Sequence, residues 1–197
     1  YTGKITNCYT TGVLKGSGAA GGIGGVLGGS GYIKNCYSSA TVIDQIANNT
    51  GKAGGIIGRV NGNASGSSIE NCYTSGDINA IGGGNAGGIV GKVDGGKLVI
   101  KNCIAWNSML VSTDKAKVGR IVGGTANATY ENCYAYDGMI LKAGEATFTV
   151  SDETSPSGSS FQGVAKSANE LKNTVINWDS SLWKEGGNGY PVFKWSK

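Results

Sequence analysis

The cysteines are the residues of this sequence that could do the most chemistry, because thiolates ligate metals, form disulfides and act as nucleophiles. Successive cysteines are 28, 36, 31 and 30 residues apart, whereas zinc sites use pairs separated by about two to four residues. The chain contains no histidine, which excludes Cys-His and Ser-His nucleophile pairs and removes the commonest metal ligand. We therefore expect no metal, no cofactor and no disulfide, with the thiols packed as small buried hydrophobic groups. They are Cys8, Cys36, Cys72, Cys103 and Cys133.

Carboxylates are the other candidates for chemistry, because glycan cleavage needs a pair of them or a carboxylate near a basic proton acceptor. The aspartates that follow the second to fifth cysteines lie at four different distances from them, so a repeating fold would not align them in one column. They are Asp44, Asp77, Asp114 and Asp137. Glu70 and Glu131 share one position of the repeat, but Lys101 lies between them. The sequence therefore predicts no acid–base pair and no enzyme activity.

The cysteines belong to a tripeptide, Asn-Cys-Tyr or a close variant, that occurs five times. Its asparagines are Asn7, Asn35, Asn71, Asn102 and Asn132, and its tyrosines are Tyr9, Tyr37, Tyr73 and Tyr134, with Ile104 in the fourth copy. A second element, Gly-Gly-aliphatic-aliphatic-Gly, follows each of the first four copies, at 24–28, 54–58, 87–91 and, as GRIVG, 119–123. Two motifs that keep phase over periods of about 30 residues indicate a solenoid.

The segments around these motifs are short, rich in β-forming residues and bounded by Gly, Asn and Ser. They predict an all-β fold, a right-handed parallel β-helix of about five coils over residues 1–141, with about three strands in each coil. Residues 142–197 are expected to form a C-terminal capping segment on the last coil, with a polar loop at 151–160. A capping box of Ser167 and Glu170 predicts a short helix through about Val175. The tail is rich in Trp, Tyr and Phe, and we expect it to close the end of the stack.

Side-chain alternation around the tripeptide is consistent only if its asparagine adopts the left-handed conformation. Strict alternation from the apolar residue two positions earlier would turn each cysteine outward. A left-handed asparagine resets the alternation, turns the cysteine inward and allows stacked asparagines to form an internal amide ladder. The residue before each asparagine faces water and alternates in sign from the second copy onward, which would fix the register of the coils. These residues are Lys34, Glu70, Lys101 and Glu131.

Two interpretations of the tyrosines remain open. Tyr9, Tyr37, Tyr73 and Tyr134 could form an exposed stripe on which sugar rings stack, which makes them candidate ligand-binding residues. Alternatively, they could form an aromatic ladder that only packs one coil on the next. Hydroxyl pairs follow the tyrosine in the first three copies, but Ala105-Trp106 and Ala135-Tyr136 replace them later, which excludes the regular array that ice binding requires.

Composition limits the remaining functions. The formal net charge is +4 without a strongly basic window, and 36 of the 197 residues are glycine. Such a balance gives little support to nucleic-acid or membrane-surface binding, and no apolar run approaches the roughly 18 residues of a membrane span. The chain opens with Tyr rather than Met inside a repeating pattern, so we expect it to be a monomeric module of a longer chain.

These motifs resemble those of the GLUG-motif repeat proteins, named for a glycine- and aliphatic-rich element like GGIIG at 54–58 and GGIVG at 87–91. The Ile-x-Asn-Cys-Tyr-Ser pattern and an ending like Asn177-Trp178-Asp179, Trp183 and the run 189–194 are similar to the same family. The resemblance covers nearly the whole chain except roughly 142–165. It departs at Arg120, where the second glycine is lost, so we expect the fourth repeat to be distorted.

What the resemblance implies is a β-solenoid module of a large bacterial surface or secreted protein, adhesin-like or IgA-protease-like, without a catalytic site of its own. There is no HExxH motif, so protease activity does not carry over. We therefore expect an extracellular adhesion platform or rigid spacer whose partner is an unknown protein or glycan. The alternative is a carbohydrate-binding module that uses an exposed aromatic stripe.

Overall fold

The computed structural model describes residues 3–62, 65–124, 128–151 and 162–196, and its strands wind into a parallel β-solenoid of about five coils. The first coil contains β1 (Lys4–Thr6), β2 (Tyr9–Thr10), β3 (Val13–Gly16), β4 (Ala20–Gly21) and β5 (Gly24–Leu27). The second contains β6 (Tyr32–Lys34), β7 (Tyr37–Ser38), β8 (Thr41–Asp44), β9 (Lys52–Gly54) and β10 (Ile57–Val60). The third contains β11 (Ser65–Glu70), β12 (Tyr73–Thr74), β13 (Ile78–Ala80), β14 (Asn85–Gly87) and β15 (Val90–Val93).

In the described residues, the later coils contain fewer strands. The fourth contains β16 (Lys97–Lys101), β17 (Ile104–Ala105), β18 (Met109–Ser112), a 3₁₀ turn (Lys115–Lys117) and β19 (Val118–Gly119). The fifth contains β20 (Ala128–Glu131), β21 (Tyr134–Tyr136) and β22 (Ile140–Ala143). The chain ends with β23 (Ala146–Phe148), β24 (Val164–Lys166), α1 (Ala168–Trp178), β25 (Trp183–Glu185) and β26 (Pro191–Phe193).

Equivalent strands of successive coils pair in parallel and form five lateral sheets, which we label A to E in the order in which the chain visits them. Sheet A is β1-β6-β11-β16-β20, sheet B is β2-β7-β12-β17-β21-β24, sheet C is β3-β8-β13-β18-β22-β23, sheet D is β4-β9-β14-β19, and sheet E is β5-β10-β15. A complete coil therefore has five short strands rather than the predicted three. Glycine and asparagine corners end the strands after two to six residues, so that some segments expected to form one strand form two.

The core is a set of columns of identical or similar apolar residues. Ile33, Ile69 and Ile100 are partners in sheet A and are all fully buried. In sheet C, Val42, Ile78 and Leu110 form an equivalent buried column. Burying one such side chain contributes about 1.5–3 kcal/mol, and because each coil adds one to every column, the stacked coils bury a continuous core that no single coil could form.

The glycine-rich element lies where the backbone of one coil closely approaches both itself and the backbone of the next coil. A Cβ on Gly54 would lie 2.0 Å from the carbonyl oxygen of Ile57 and 2.5 Å from the backbone nitrogen of Gly91. Gly54 pairs with Gly21 in the first coil, and Ile57 pairs with Gly24. The first copy of the element is therefore 21–25, and the assignment to 24–28 was wrong by three residues. The sequence GGVLG at 24–28 is closer to the pattern in residue type, but the hydrogen-bonded register selects the earlier segment.

Charged residues on the outer face of sheet A occupy the predicted positions. Glu70 is the strand partner of Lys34 and of Lys101, and the Lys34 and Glu70 charged groups lie 3.7 Å apart. Lys101 Nζ lies 2.8 Å from a carboxylate oxygen of Glu131. The alternating signs thus face each other across neighbouring coils. Exposed pairs of this kind add little stability individually, but a slip by one coil would place like charges together.

The C-terminal helix forms as the capping box predicts. Ser167 Oγ accepts a hydrogen bond from the backbone N–H of Glu170, whose carboxylate accepts one from the backbone N–H of Ser167. The helix extends three residues beyond the predicted end and buries Leu171 and Val175. The predicted polar loop at 151–160 lies outside the described residues, apart from Ser151.

The C-terminal segment was predicted to cap the last coil, but most of it packs elsewhere. The expected boundary between residues 141 and 142 falls inside β22, and β24 still adds a parallel strand to sheet B. The antiparallel strand β23 pairs with the free edge of β22 and so satisfies its backbone groups. Helix α1 and the antiparallel hairpin of β25 and β26 turn back along the side of the stack instead of covering its end.

Candidate functional site

The five repeat asparagines form a hydrogen-bonded ladder at the corner between sheets A and B. Each adopts the left-handed conformation, with φ between 51° and 55°. From the second coil onward, each side-chain amide donates to the Oδ1 of the asparagine in the preceding coil, at 3.2, 3.2, 3.0 and 3.1 Å along the stack. Asn7 is exposed and the other four are half-buried, so the ladder lies at a surface corner rather than inside the core. The ladder residues are Asn7, Asn35, Asn71, Asn102 and Asn132.

The left-handed corner turns the following cysteines into the core. Cys36, Cys72, Cys103 and Cys133 are fully buried, whereas Cys8 in the first coil is exposed, and all five are free thiols. Burial raises the pKa of Cys133 from 9.0 to about 11, and burial also raises the pKa of Cys72 well above its ordinary value. Because the thiolate is the nucleophile and the metal ligand, thiols held protonated in this way are chemically inert. The residues that the structure describes contain no cluster of three metal-ligating side chains.

The tyrosines that follow the cysteines stack face to face on the outer side of sheet B. The ring centroids of Tyr9 and Tyr37 are 5.1 Å apart with an interplanar angle of 8°. Tyr37 and Tyr73 are also 5.1 Å apart, at 3°. Ile104 continues this tyrosine column in the fourth coil and Tyr134 in the fifth, where Lys166 Nζ lies 4.8 Å from the centre of its ring.

The C-terminal hairpin covers the tyrosine column. Trp183 lies 5.9 Å from the rings of both Tyr37 and Tyr73, and Phe193 lies 5.2 Å from Tyr37. The exposed fraction is only 5 % for Tyr37 and 1 % for Tyr73, against 38 % for Tyr9.

The interpretation of Tyr9, Tyr37, Tyr73 and Tyr134 as an exposed stripe was therefore wrong for its two central members. The apolar ring faces of the column and of the tail bury one another, so the tail aromatics close the side of the stack and not its end.

A pocket of about 330 Å³ remains between the tyrosine column and the hairpin. It is lined by Tyr9, Thr11, Tyr37, Ser39, Tyr73, Ser75, Asn188, Tyr190, Val192 and Ser196. Partial burial raises the pKa of Tyr37 and of Tyr190, so these phenol groups stay protonated and able to donate hydrogen bonds. We refer to this feature as the tyrosine–hydroxyl pocket.

Sequence reasoning missed the tyrosine–hydroxyl pocket. The available signal was the pair of hydroxyl residues after the tyrosine in the first three copies, which we judged only as a possible ice-binding array. The first hydroxyl of each pair faces inward, as in the 2.9 Å hydrogen bond between Thr10 Oγ1 and Ser38 Oγ. The second faces the pocket. Its opposite wall comes from residues 188–196, and no local pattern places them next to the first three coils.

Two of the aspartates considered as catalytic candidates, Asp44 and Asp114, have structural hydrogen-bond partners. Asp44 is fully buried, and its oxygens accept hydrogen bonds from the backbone N–H groups of Gly18, Ile46 and Lys52 at 3.2, 3.0 and 3.0 Å. Asp114 Oδ1 accepts from the backbone N–H of Ala116 at 2.9 Å and begins the 3₁₀ turn. These carboxylates organise turns of the coils.

Arg120 replaces the second glycine in the fourth copy and is buried, at 5 % exposed. Its guanidinium donates to the carbonyl oxygens of Gln162 and Gly163 at 3.1 and 2.8 Å. The fourth coil therefore contacts the returning chain just before β24. No helix in the described ranges is both long and apolar enough to cross a bilayer.

Comparison with known proteins gives one informative result. No family model matches the chain, and no curated protein matches it. Among solved structures, the chain is similar to the crystal structure of "a putative immunoglobulin A1 protease from Bacteroides ovatus", with 51 % sequence identity and a TM-score of 0.89. The match covers 100 % of this chain and 59 % of that chain. This chain therefore spans about three fifths of that protein's length and shares its fold over that part.

Proposed function

We propose that this chain is a non-enzymatic module of a bacterial surface or secreted protein, in which the solenoid is an adhesion platform or a rigid spacer. The observation that carries the proposal is the parallel stacking of equivalent strands from coil to coil, fixed by apolar columns and an asparagine ladder. With a spacing of about 4.8 Å between coils, such a stack presents equivalent side chains at regular intervals. Regular exposed rows suit many weak contacts in parallel, which gain strength through effective concentration.

Membership of the GLUG-motif repeat proteins is part of this proposal. The repeated glycine element has a specific physical role, since Gly54 and its equivalent Gly87 allow backbone contacts that a Cβ would prevent. The similarity to a crystal structure whose printed name is that of an immunoglobulin A1 protease supports a secreted or surface protein with an IgA-protease-like relative. The extracellular location is inferred from these two resemblances together.

The absence of catalysis is also proposed and needs its own test. The protease named in the structural comparison extends beyond this chain, which spans 59 % of it. In this chain, buried thiols are held protonated, and Asp44 and Asp114 organise turns. We expect the purified chain to leave immunoglobulin A1 intact after overnight incubation, as judged by gel electrophoresis. Appearance of defined fragments, absent from a heat-unfolded control, would contradict a non-enzymatic role.

Adhesion and spacing are separated by two measurements. Saturable binding of the labelled module to immobilised mucins or epithelial cells, lost after heat unfolding, is expected for an adhesion platform. Resistance of the folded module to extension in single-molecule pulling is expected for a spacer. A module that neither binds such surfaces nor resists extension would refute the proposal. The remaining alternative, a stripe of exposed rings, has no support because the central rings are buried under the hairpin.

A further inference from the structure

One wall of the tyrosine–hydroxyl pocket is a column of hydroxyl groups from the first three coils. Thr11, Ser39 and Ser75 occupy equivalent positions, because the backbone N–H of Ser39 donates to Thr10 O at 3.0 Å and that of Ser75 to Ser38 O at 2.9 Å. The column therefore repeats at about 4.8 Å, the spacing of paired strands. Within the part of the chain that the structure describes, these three hydroxyls have no protein hydrogen-bond partner, so they are available to a ligand.

The other wall comes from the C-terminal hairpin and is held in place by aromatic contacts. The ring of Tyr190 packs edge-on against Trp106 with 4.7 Å between centroids. Asn188 lies at the rim, where its Oδ1 accepts from the backbone N–H of Tyr190 at 3.3 Å. The hydroxyl of Tyr73 donates to the carbonyl oxygen of Pro191 and ties the two walls together. The pocket is therefore built by two elements that fix each other.

The chemistry of the lining selects the class of ligand. None of the lining residues is charged, so an ionic ligand would lose its hydration without gaining a counter-charge. A purely apolar ligand would bury hydroxyl groups without partners. A neutral polyhydroxylated ring fits both walls, since its hydroxyls can bond to the serine and threonine column and its C–H groups can contact the edges of the tyrosine rings. The volume of about 330 Å³ lies at the lower end of the range for small-ligand sites, roughly 300–1,000 Å³.

We propose that the tyrosine–hydroxyl pocket binds a neutral saccharide unit. This inference rests on the proposed function, since it names the ligand class of the adhesion platform. Saccharide recognition in this pocket uses the edges of the tyrosine column and the hydroxyl column beside it, with the hairpin as the second wall.

Titration with monosaccharides, followed by amide chemical shifts, tests the inference directly. We expect glucose, galactose, mannose or N-acetylglucosamine to shift the amide signals of Thr11, Ser39, Ser75 and Asn188, while glucuronic acid shifts them less at equal concentration. Absence of shifts with all four neutral sugars, or shifts confined to another face, would overturn the proposal. A short neutral peptide, Gly-Ser-Ser-Gly, that shifts these amides when no sugar does would overturn it too and assign the pocket to a peptide.

Two variants separate the pocket from general effects of mutation. Ser75→Leu fills the hydroxyl column with an apolar side chain and is expected to abolish the sugar-induced shifts. Ser108→Leu changes the same residue type at an exposed position outside the pocket and is expected to retain them. An unchanged amide spectrum elsewhere verifies that each variant is folded. Sugar-induced shifts that survive Ser75→Leu would overturn the proposal.

The same variants distinguish failure of the pocket from failure of the wider function. If the wild type adheres to mucins and Ser75→Leu adheres equally, the pocket is not the adhesive site and the adhesion platform stands. If Ser75→Leu loses both mucin adhesion and sugar binding while the wild type and Ser108→Leu retain them, both the adhesion platform and the saccharide pocket are supported. A wild type that binds neither mucins nor monosaccharides removes the pocket proposal and leaves only the spacer.

Discussion

Replacement of Gly54 by alanine should destabilise the solenoid far more than a single methyl group normally does. The added Cβ would lie 2.0 Å from Ile57 O and 2.5 Å from Gly91 N, and both of these atoms belong to backbone. Ordinary contacts at a Cβ begin near 3.4 Å, so the neighbouring chain would have to move by about 1.4 Å in a core that is packed like an organic crystal.

The expected cost follows from what such a movement disrupts. The backbone N–H of Gly55 lies 3.2 and 3.1 Å from the carbonyl oxygens of Gly87 and Gly88, and Gly54 O accepts from Gly22 at 3.3 Å. Overpacking costs about 1–3 kcal/mol, and each lost hydrogen bond adds about 1 kcal/mol. We therefore expect the free energy of unfolding to fall by about 3–5 kcal/mol, enough to unfold a marginally stable domain.

Urea unfolding monitored by circular dichroism measures this effect, and the chain offers a matched control. A Cβ on Gly28 would have its nearest neighbour 3.8 Å away, so Gly28→Ala should be neutral or stabilising by about 0.4–1 kcal/mol. A Gly54→Ala variant within about 1 kcal/mol of the wild type would refute the account of the glycine element. Equal losses for both variants would refute it as well.

Three further changes test other parts of the fold. Asn71→Gly and Asn71→Ala both lose two ladder hydrogen bonds, but only alanine places a Cβ in the left-handed conformation without a compensating side-chain bond. Alanine should therefore lower the free energy of unfolding in urea by about 1 kcal/mol more than glycine, and equal losses would contradict the left-handed conformation of this corner. Trp183→Ala removes a fully buried hairpin ring that packs against the tyrosine column, so it should cost about 3–5 kcal/mol and increase the accessibility of Tyr73 to a fluorescence quencher. Unchanged quenching would show that the hairpin does not cover the column. Burial raises the pKa of Cys133 from 9.0 to about 11, so this thiol ionises at a lower pH in the unfolded chain than in the folded one. Its contribution to the free energy of unfolding is complete below pH 9 and is lost between pH 9 and 11, by up to about 1.4 kcal/mol per pH unit. The free energy of unfolding of Cys133→Ala should therefore fall less steeply with pH than that of the wild type.

The features that repeat locally could be predicted from the sequence. The left-handed asparagine follows from an alternation conflict within five residues, and the structure places Asn35, Asn71 and Asn102 at φ values of 51–52°. The opposite charges of Lys34, Glu70 and Lys101 fall into one row because each coil contributes one residue to it.

The features that depend on distant segments could not be predicted. The burial of Tyr37 and Tyr73 requires the tail at 183–193, more than 100 residues away in sequence, and no periodic signal connects them. The first glycine element was misplaced because GGVLG matches the pattern by residue type, whereas backbone pairing of Gly21 with Gly54 decides the register. The tyrosine–hydroxyl pocket combines both difficulties, since only one of its walls belongs to the repeat.

The hairpin along the side of the stack changes how the module should respond to unfolding. In an open solenoid each coil contacts only its neighbours, so the ends can fray independently and stability is a sum of local terms. Here the rings of Phe193 and Trp195 reach Tyr9 in the first coil, at 6.3 and 5.8 Å. The segment that follows the last coil thereby contacts the first coil directly. Such long-range closure slows folding and couples the coils into one cooperative unit that unfolds in a single step.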